Sequence, residues 1–257
     1  MVRPTVDGRG SKKRQQGSAG PKKKPADPVV PSARLPAGRH GLPHEFVVQN
    51  QRERIITALV DTVAEHGFKE TTVADITKAA AVSRRTFYEH FADKEECFFA
   101  AYEMIAEHLR KSMGAATEVF DEWPQKVRAA LATMLRFLSA EPELARVYAF
   151  EPVAAGGEIS ARHRASMQGL MKILKAGRPA HPGEHPLPDV TEETLVGGIF
   201  SLIIREIIAG RTEQLERLLP DLVELTLTPY LGAEEATRLA RRDKPGAGSS
   251  AAAASPK

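Results

Sequence analysis

The chain has 257 residues, 42% of them hydrophobic, with a formal net charge of +3, which is enough apolar material for one large domain or two ordinary ones. Its single cysteine, Cys97, excludes an internal disulfide framework and fits a reducing compartment, so a cytoplasmic location is expected. No secretory apolar segment is present, and the longest apolar stretch, 195–208, is interrupted by Ser201, Arg205 and Glu206, which excludes a membrane span.

Residues 1–46 are rich in Gly, Pro, Ser and Lys and nearly free of large apolar side chains, so a disordered basic tail is expected. Residues 1–44 hold ten basic and two acidic side chains, a surplus of eight; the rest of the chain therefore carries −5 to reach the total of +3. Such a tail is either a solvating leader or a basic arm that holds phosphates or reaches a minor groove. A first helix is expected from about residue 49 to 66, with Ile55, Ile56, Leu59 and Val63 inward and Gly67 at its left-handed end.

The stretch 71–91, TTVADITKAAAVSRRTFYEHF, reads as two short helices and a tight turn. Val73, Ile76 and Ala80 share one face of the first helix, while Ser83 is a good N-cap for the second. Phe87 and Phe91, four apart, give the second helix a buried stripe. Placing Phe87 inward turns Arg85, Thr86, Tyr88 and Glu89 outward. Arginine can pair bidentately with guanine, and hydroxyls can meet phosphates or base edges, so the pattern is that of a helix-turn-helix whose second helix enters the major groove.

Asp93, with Glu96 at the capping-box position, opens a fourth helix that continues through Phe98, Tyr102, Ile105 and Leu109 to about residue 118. Further helices are expected at about 124–139, 143–151, 160–176, 191–209 and 212–231, with Pro124 and Pro220 near helix starts. Residues 177–190 form a Pro/Gly-rich loop, and 241–257 a second loose tail. The fold class is thus all-α, with a helix-turn-helix domain at 47–97 and a helical domain at 98–240.

Residues 50–103, with Gly67-Phe68, Thr71-Thr72, Val82-Ser83, the string Thr86-Phe87-Tyr88-x-His90-Phe91 and Lys94, resemble the N-terminal domain of TetR/AcrR-type bacterial transcriptional regulators. The resemblance implies a homodimeric regulator, most commonly a repressor, whose C-terminal domain binds a small molecule and dimerises. Carried over residue by residue, it implies that Arg84, Arg85 and Thr86 meet base edges and flanking phosphates. Tyr88 and His90 meet the backbone, and Thr72 and Lys94 anchor phosphates at helix starts. Where the family often has Gly in the turn, this chain has Ala81, and a slightly different turn is expected there.

In this family the helices carrying Phe120, Trp123, Met134, Phe137, Tyr148, Met167 and Met171 surround an effector cavity. Few charges fall among these residues, so a hydrophobic or aromatic effector is expected, with no cofactor. The 191–209 and 212–231 helices, with Gly197-Gly198, Leu218, Leu222, Leu225 and Tyr230, are the expected dimer surface, and an inverted-repeat duplex the expected partner. One alternative is a helical protein-interaction module without DNA binding. An enzyme is not expected: His181-x-x-Glu184-His185 has an inverted zincin spacing, but Pro182, Gly183 and Pro186 disfavour the helix needed for two histidines to share a zinc, so no metal site is expected either.

Overall fold

In a computed structural model, residues 44–155, 157–180 and 186–241 are described, and among them every regular element is helical. The basic tail up to residue 43, the His181–His185 motif and the tail after 241 lie outside the described residues. Four helices lead: α1 (His44–His66), α2 (Val73–Ala80), α3 (Arg84–His90) and α4 (Lys94–Glu118). The body continues with α5 (Trp123–Ala140), α6 (Pro142–Ala145), a π-helical turn (Arg146–Phe150), α7 (Glu151–Ala155), α8 (Gly157–Ser166) and α9 (Gln168–Lys175). After a short 3-10 turn (Arg178–Ala180) come α10 (Thr191–Ile208), a second 3-10 segment (Thr212–Leu218), α11 (Leu219–Leu231) and α12 (Ala233–Ala240).

The head is built around the faces the periodicity marks. Ile55, Leu59, Val63, Ile76, Phe87 and Phe98 are wholly buried, and Phe91 nearly so. Each such side chain contributes roughly 1.5–3 kcal/mol by leaving water. Gly67 takes φ +83° and its amide closes on the Val63 carbonyl at 2.8 Å. The caps are where the sequence puts them. Ser83 Oγ accepts from the Thr86 amide at 3.0 Å, and Asp93 from the Glu96 amide at 2.8 Å.

Ala81 differs from expectation. It occupies the left-handed region at φ 51°, ψ 48°, so the turn is the ordinary one, with alanine held where glycine is easier. Arg54 of α1 secures it by donating to the carbonyls of Ala80 and Ala81. The first helix also starts earlier than the apolar period suggests, at His44; its first turns leave Phe46 and Val48 exposed, and Gln49 donates to Glu53 at 2.7 Å.

Two of the body's expected helices are broken. The 143–151 stretch is three short pieces with the π turn at the centre, and 160–176 is interrupted at Met167. Pro220 begins α11 after the 3-10 segment, as its missing amide requires. The described ends of the Pro/Gly loop are held together by Arg178, which donates to the Leu187 and Pro188 carbonyls and, at 2.7 and 2.8 Å, to the wholly buried Glu192; Glu192 also accepts from Tyr230 at 2.9 Å. Leu222 and Tyr230, expected at a dimer surface, are instead wholly buried in their own subunit, and Leu218 is packed on its core, whereas Gly197 and Leu225 are exposed.

Candidate functional site

Two places hold the candidate functional residues: the outer face of α3 and a cavity in the body. On α3, Arg84, Arg85, Tyr88 and Glu89 are exposed, and Thr86 is half-buried with its hydroxyl 2.9 Å from Ser83 Oγ. Arg85 Nε donates to Glu89 at 2.9 Å, one turn away. An ion pair this exposed is worth at most about 1 kcal/mol, so Arg85 can leave it for a better acceptor. Tyr88 stands edge-on to Phe87 with its ring centroid 5.4 Å away, which fixes its direction outward.

The other expected anchors are differently engaged. His90 is half-buried against α1, its Nε2 3.5 Å from the Gln51 carboxamide oxygen. Burial, helped by the neighbouring Arg52 charge, lowers its pKa, so it meets an anion as a neutral donor. Thr72 caps α2 reciprocally with Asp75, its hydroxyl donating to that carboxylate at 2.5 Å. Lys94 departs most from expectation. Its ammonium donates to the carbonyls of Phe68 (2.9 Å), Lys69 (3.2 Å) and Thr71 (2.9 Å) and sits 4.6 Å from the Phe68 ring centroid. All three of its protons are used to hold the α1–α2 connection, so phosphate anchoring is a secondary role at most for this side chain.

The cavity, of about 660 Å³, lies between α4, α5, α8, α9, α10 and the π turn. Leu109, Met113, Met134, Leu170 and Phe200 give it an apolar interior, with Tyr148, Ser166 and Met167 beside them. Of the seven residues expected to line it, Met134, Tyr148 and Met167 do; Phe120, Trp123, Phe137 and Met171 do not. Trp123 faces away, donating to the Ile173 carbonyl at 2.8 Å and packing on Tyr230 at 4.9 Å. Phe137 packs on His108 at 5.1 Å, Met171 leans on the core, and Phe120 lies beyond the end of α4. The expectation of few charges also needs correction: Glu103, Arg110, Arg162 and Lys172 line the rim.

Two groups escape sequence reasoning. Glu151, at the start of α7 and almost wholly buried, accepts from the Phe68 amide at 2.9 Å and from Arg146 at 3.0 Å. It ties the body to the same connection that Lys94 holds, 83 residues away in the chain, and no local pattern announces it. The second is a buried polar group of Tyr102, Tyr148, His163 and Ser166 beside the cavity, of which the sequence marks only Tyr148 as a pocket residue. Met residues and aromatics signal a pocket, but the hydroxyls and imidazole carry no spacing that points to one another.

Residues 55–101 match the family profile described as "Bacterial regulatory proteins, tetR family". The chain is similar to the probable acrEF/envCD operon repressor of Escherichia coli (strain K12), 24% identical over 200 residues, which are 73% of this chain and 90% of the other. It is 30% identical over 158 residues to an uncharacterized HTH-type transcriptional regulator of Mycobacterium tuberculosis (strain ATCC 25618 / H37Rv), covering 58% of this chain and 78% of the other. Among solved structures, the fatty acid degradation regulator FadR from Bacillus halodurans superposes with a TM-score of 0.62 at 20% identity, over 69% of this chain and 94% of that one. These likenesses extend past the head and through most of the body.

Proposed function

The chain belongs to the TetR family of bacterial regulatory proteins, and from that premise we propose a cytoplasmic homodimeric repressor that releases an inverted-repeat operator when a small apolar effector fills its cavity. Arg84, Arg85, Thr86 and Tyr88 read and grip the duplex from α3. Arg85 takes a guanine edge, and Tyr88 and His90 donate to the sugar-phosphate backbone. Thr72 sits at the start of α2, whose free amides add a phosphate contact. The relationship to a probable operon repressor supports the sign of the regulation.

One observation carries the reading: a single helix belongs to both sites. α4 starts at Lys94, clamped to the connection that leads into α2, and later presents Leu109, Arg110, Met113 and Gly114 to the cavity. A ligand that fits the cavity better when α4 has shifted moves the head with it, and the operator-bound arrangement loses population by the same free energy. Glu151 adds a second link, because it sits three residues beyond the cavity-lining Tyr148 and grips Phe68.

Dimerisation follows from the outer face of α10. Thr194, Gly197, Ser201 and Ile208 are exposed at spacings of three, four and seven, so they form one stripe, with small residues where a second helix must come close. Ile208 is 67% exposed and Leu225 of α11 is 46% exposed, which leaves apolar surface for a partner copy. Two such helices per subunit make a four-helix interface that sets the recognition helices about 34–36 Å apart on one face of DNA. Ile208→Glu is expected to turn the dimer into a monomer in sedimentation at micromolar concentration and to weaken operator binding more than about tenfold, since a monomer holds one half-site. A wild-type chain that sediments as a monomer with and without its duplex would contradict the proposal.

A further inference from the structure

The head that carries α3 is short of positive charge. Residues 45–97 hold seven basic and ten acidic side chains, a net of −3. Four of the seven are engaged within the head itself. Lys94 donates to three carbonyls, Arg54 to those of Ala80 and Ala81, and Arg85 to Glu89, while Arg52 lies over the Phe91 ring, 5.1 Å from its centroid. α3 has the groups to read bases, but grip on phosphates comes from cations that displace counterions. A head of net negative charge repels those same phosphates at a distance.

The course of α1 shows where the missing cations join. Its C-terminal end faces the body, since the Phe68 amide just beyond it donates to Glu151 at 2.9 Å. Its middle lies on the helix-turn-helix, with Arg54 at the α2–α3 turn. Gln51 and Arg52 stand at the last turn of α3, against His90 and Phe91. The helix thus runs from the body out past the motif, and the residues from 50 back to 44 carry it about 10 Å further. Glu45, Phe46, Val48 and Gln49 in that extension are exposed. The chain before His44 therefore joins the head at the end away from the body and beside α3.

That chain carries the protein's surplus of positive charge. Residues 1–43 hold ten basic and two acidic side chains, a net of +8, against −3 in the head, which leaves −2 for residues 98–257 out of the total of +3. A polyanion outside the chain is the partner such an excess fits. Lys24 lies 20 positions before His44, and that length of chain spans at most about 70 Å, so reach does not limit contact with a duplex held by α3.

We infer that residues 1–43 are a second part of the DNA-binding surface, a basic arm that holds phosphates next to the half-site α3 reads. The arm supplies affinity and salt dependence without sequence preference, and α3 keeps the specificity. The inference rests on the reading of α3 as the DNA-reading helix.

The test changes Lys12, Lys13, Arg14, Lys22, Lys23 and Lys24 together to glutamine in the full-length protein. Affinity is measured by anisotropy between 50 and 200 mM salt, on the duplex the wild type selects best and on a scrambled duplex of equal length. The slope of log affinity against log salt is expected to become shallower by at least about 3 for the dimer, so this rise in salt costs the wild type roughly 60-fold more affinity than the variant. Both duplexes should weaken by the same factor, keeping the ratio between them within about twofold. An unfolding midpoint equal to the wild type's verifies that the six changes act on binding. Equal slopes for the two proteins overturn the arm and leave the α3 reading standing. A ratio lowered more than about tenfold overturns its restriction to phosphates. A wild type with no preference between the duplexes sinks the α3 reading, and this inference with it.

Discussion

Ala81 shows how one backbone position is held against its own preference. A left-handed alanine costs about 1–2 kcal/mol, part of which glycine would return as extra freedom in the unfolded chain. The two hydrogen bonds from Arg54 to the carbonyls on either side of the turn's start offset that strain. Ala81→Gly is therefore expected to raise stability by about 0.5–1 kcal/mol in chemical denaturation; a loss would mean that the turn depends on the methyl group. Lys94 carries a different lesson. Its position marks it as a phosphate anchor, yet its ammonium is fully occupied by three backbone carbonyls. Lys94→Met should cost about 1–2 kcal/mol of stability, half-burial discounting the usual strength of charged hydrogen bonds. A variant that unfolds at the wild-type denaturant concentration and loses only DNA affinity would restore the anchor role.

At the scale of elements, legibility follows how local the determinants are. α3 and the start of α4 can be read because their caps, Ser83 and Asp93, lie next to the apolar residues they introduce, and α2 because Val73, Ile76 and Ala80 share one face; its cap, Thr72, is identified by the structure. The break at Met167 cannot, since neither glycine nor proline stands there, and the π turn at Arg146–Phe150 depends on its packing against α4 and α10. α12 escapes a periodicity reading because its inward residues, Ala236 and Ala240, are too small to mark a stripe; α11 supplies the surface that orders it. Glu151 illustrates the same limit with a functional consequence. Its carboxylate joins the body to the head through the Phe68 amide, and nothing near it in the chain predicts the pairing. Glu151→Ala should leave that amide unpaired, cost about 1–3 kcal/mol and speed hydrogen exchange at Phe68 relative to Ile76. Equal protection of the Phe68 amide in the variant would remove Glu151 from the coupling route.

For the whole molecule, the head is legible to the level of side-chain direction and the body only to its layout. Phe87 and Phe91 are buried and Arg85, Tyr88 and Glu89 exposed, as helical rotation from a single inward residue requires. A cavity is a place that side chains fail to fill, and sequence names the fillers without saying which way they turn; so Trp123 and Phe137 are expected at a space they do not touch. The charges on its rim and the hydroxyl-imidazole group in its wall come together from α4, α8, α9 and the π turn, which only the tertiary arrangement brings side by side. Central to the whole reading is that α3 meets DNA. The most direct measurement is the anisotropy-detected affinity of a folded Arg85→Ala/Tyr88→Ala variant for the duplex that the wild-type protein selects best from a random pool. Each half-site then lacks one base-edge and one backbone hydrogen bond, so affinity is expected to fall at least about 30-fold. Retention of wild-type affinity by that variant would contradict a DNA-reading role for α3.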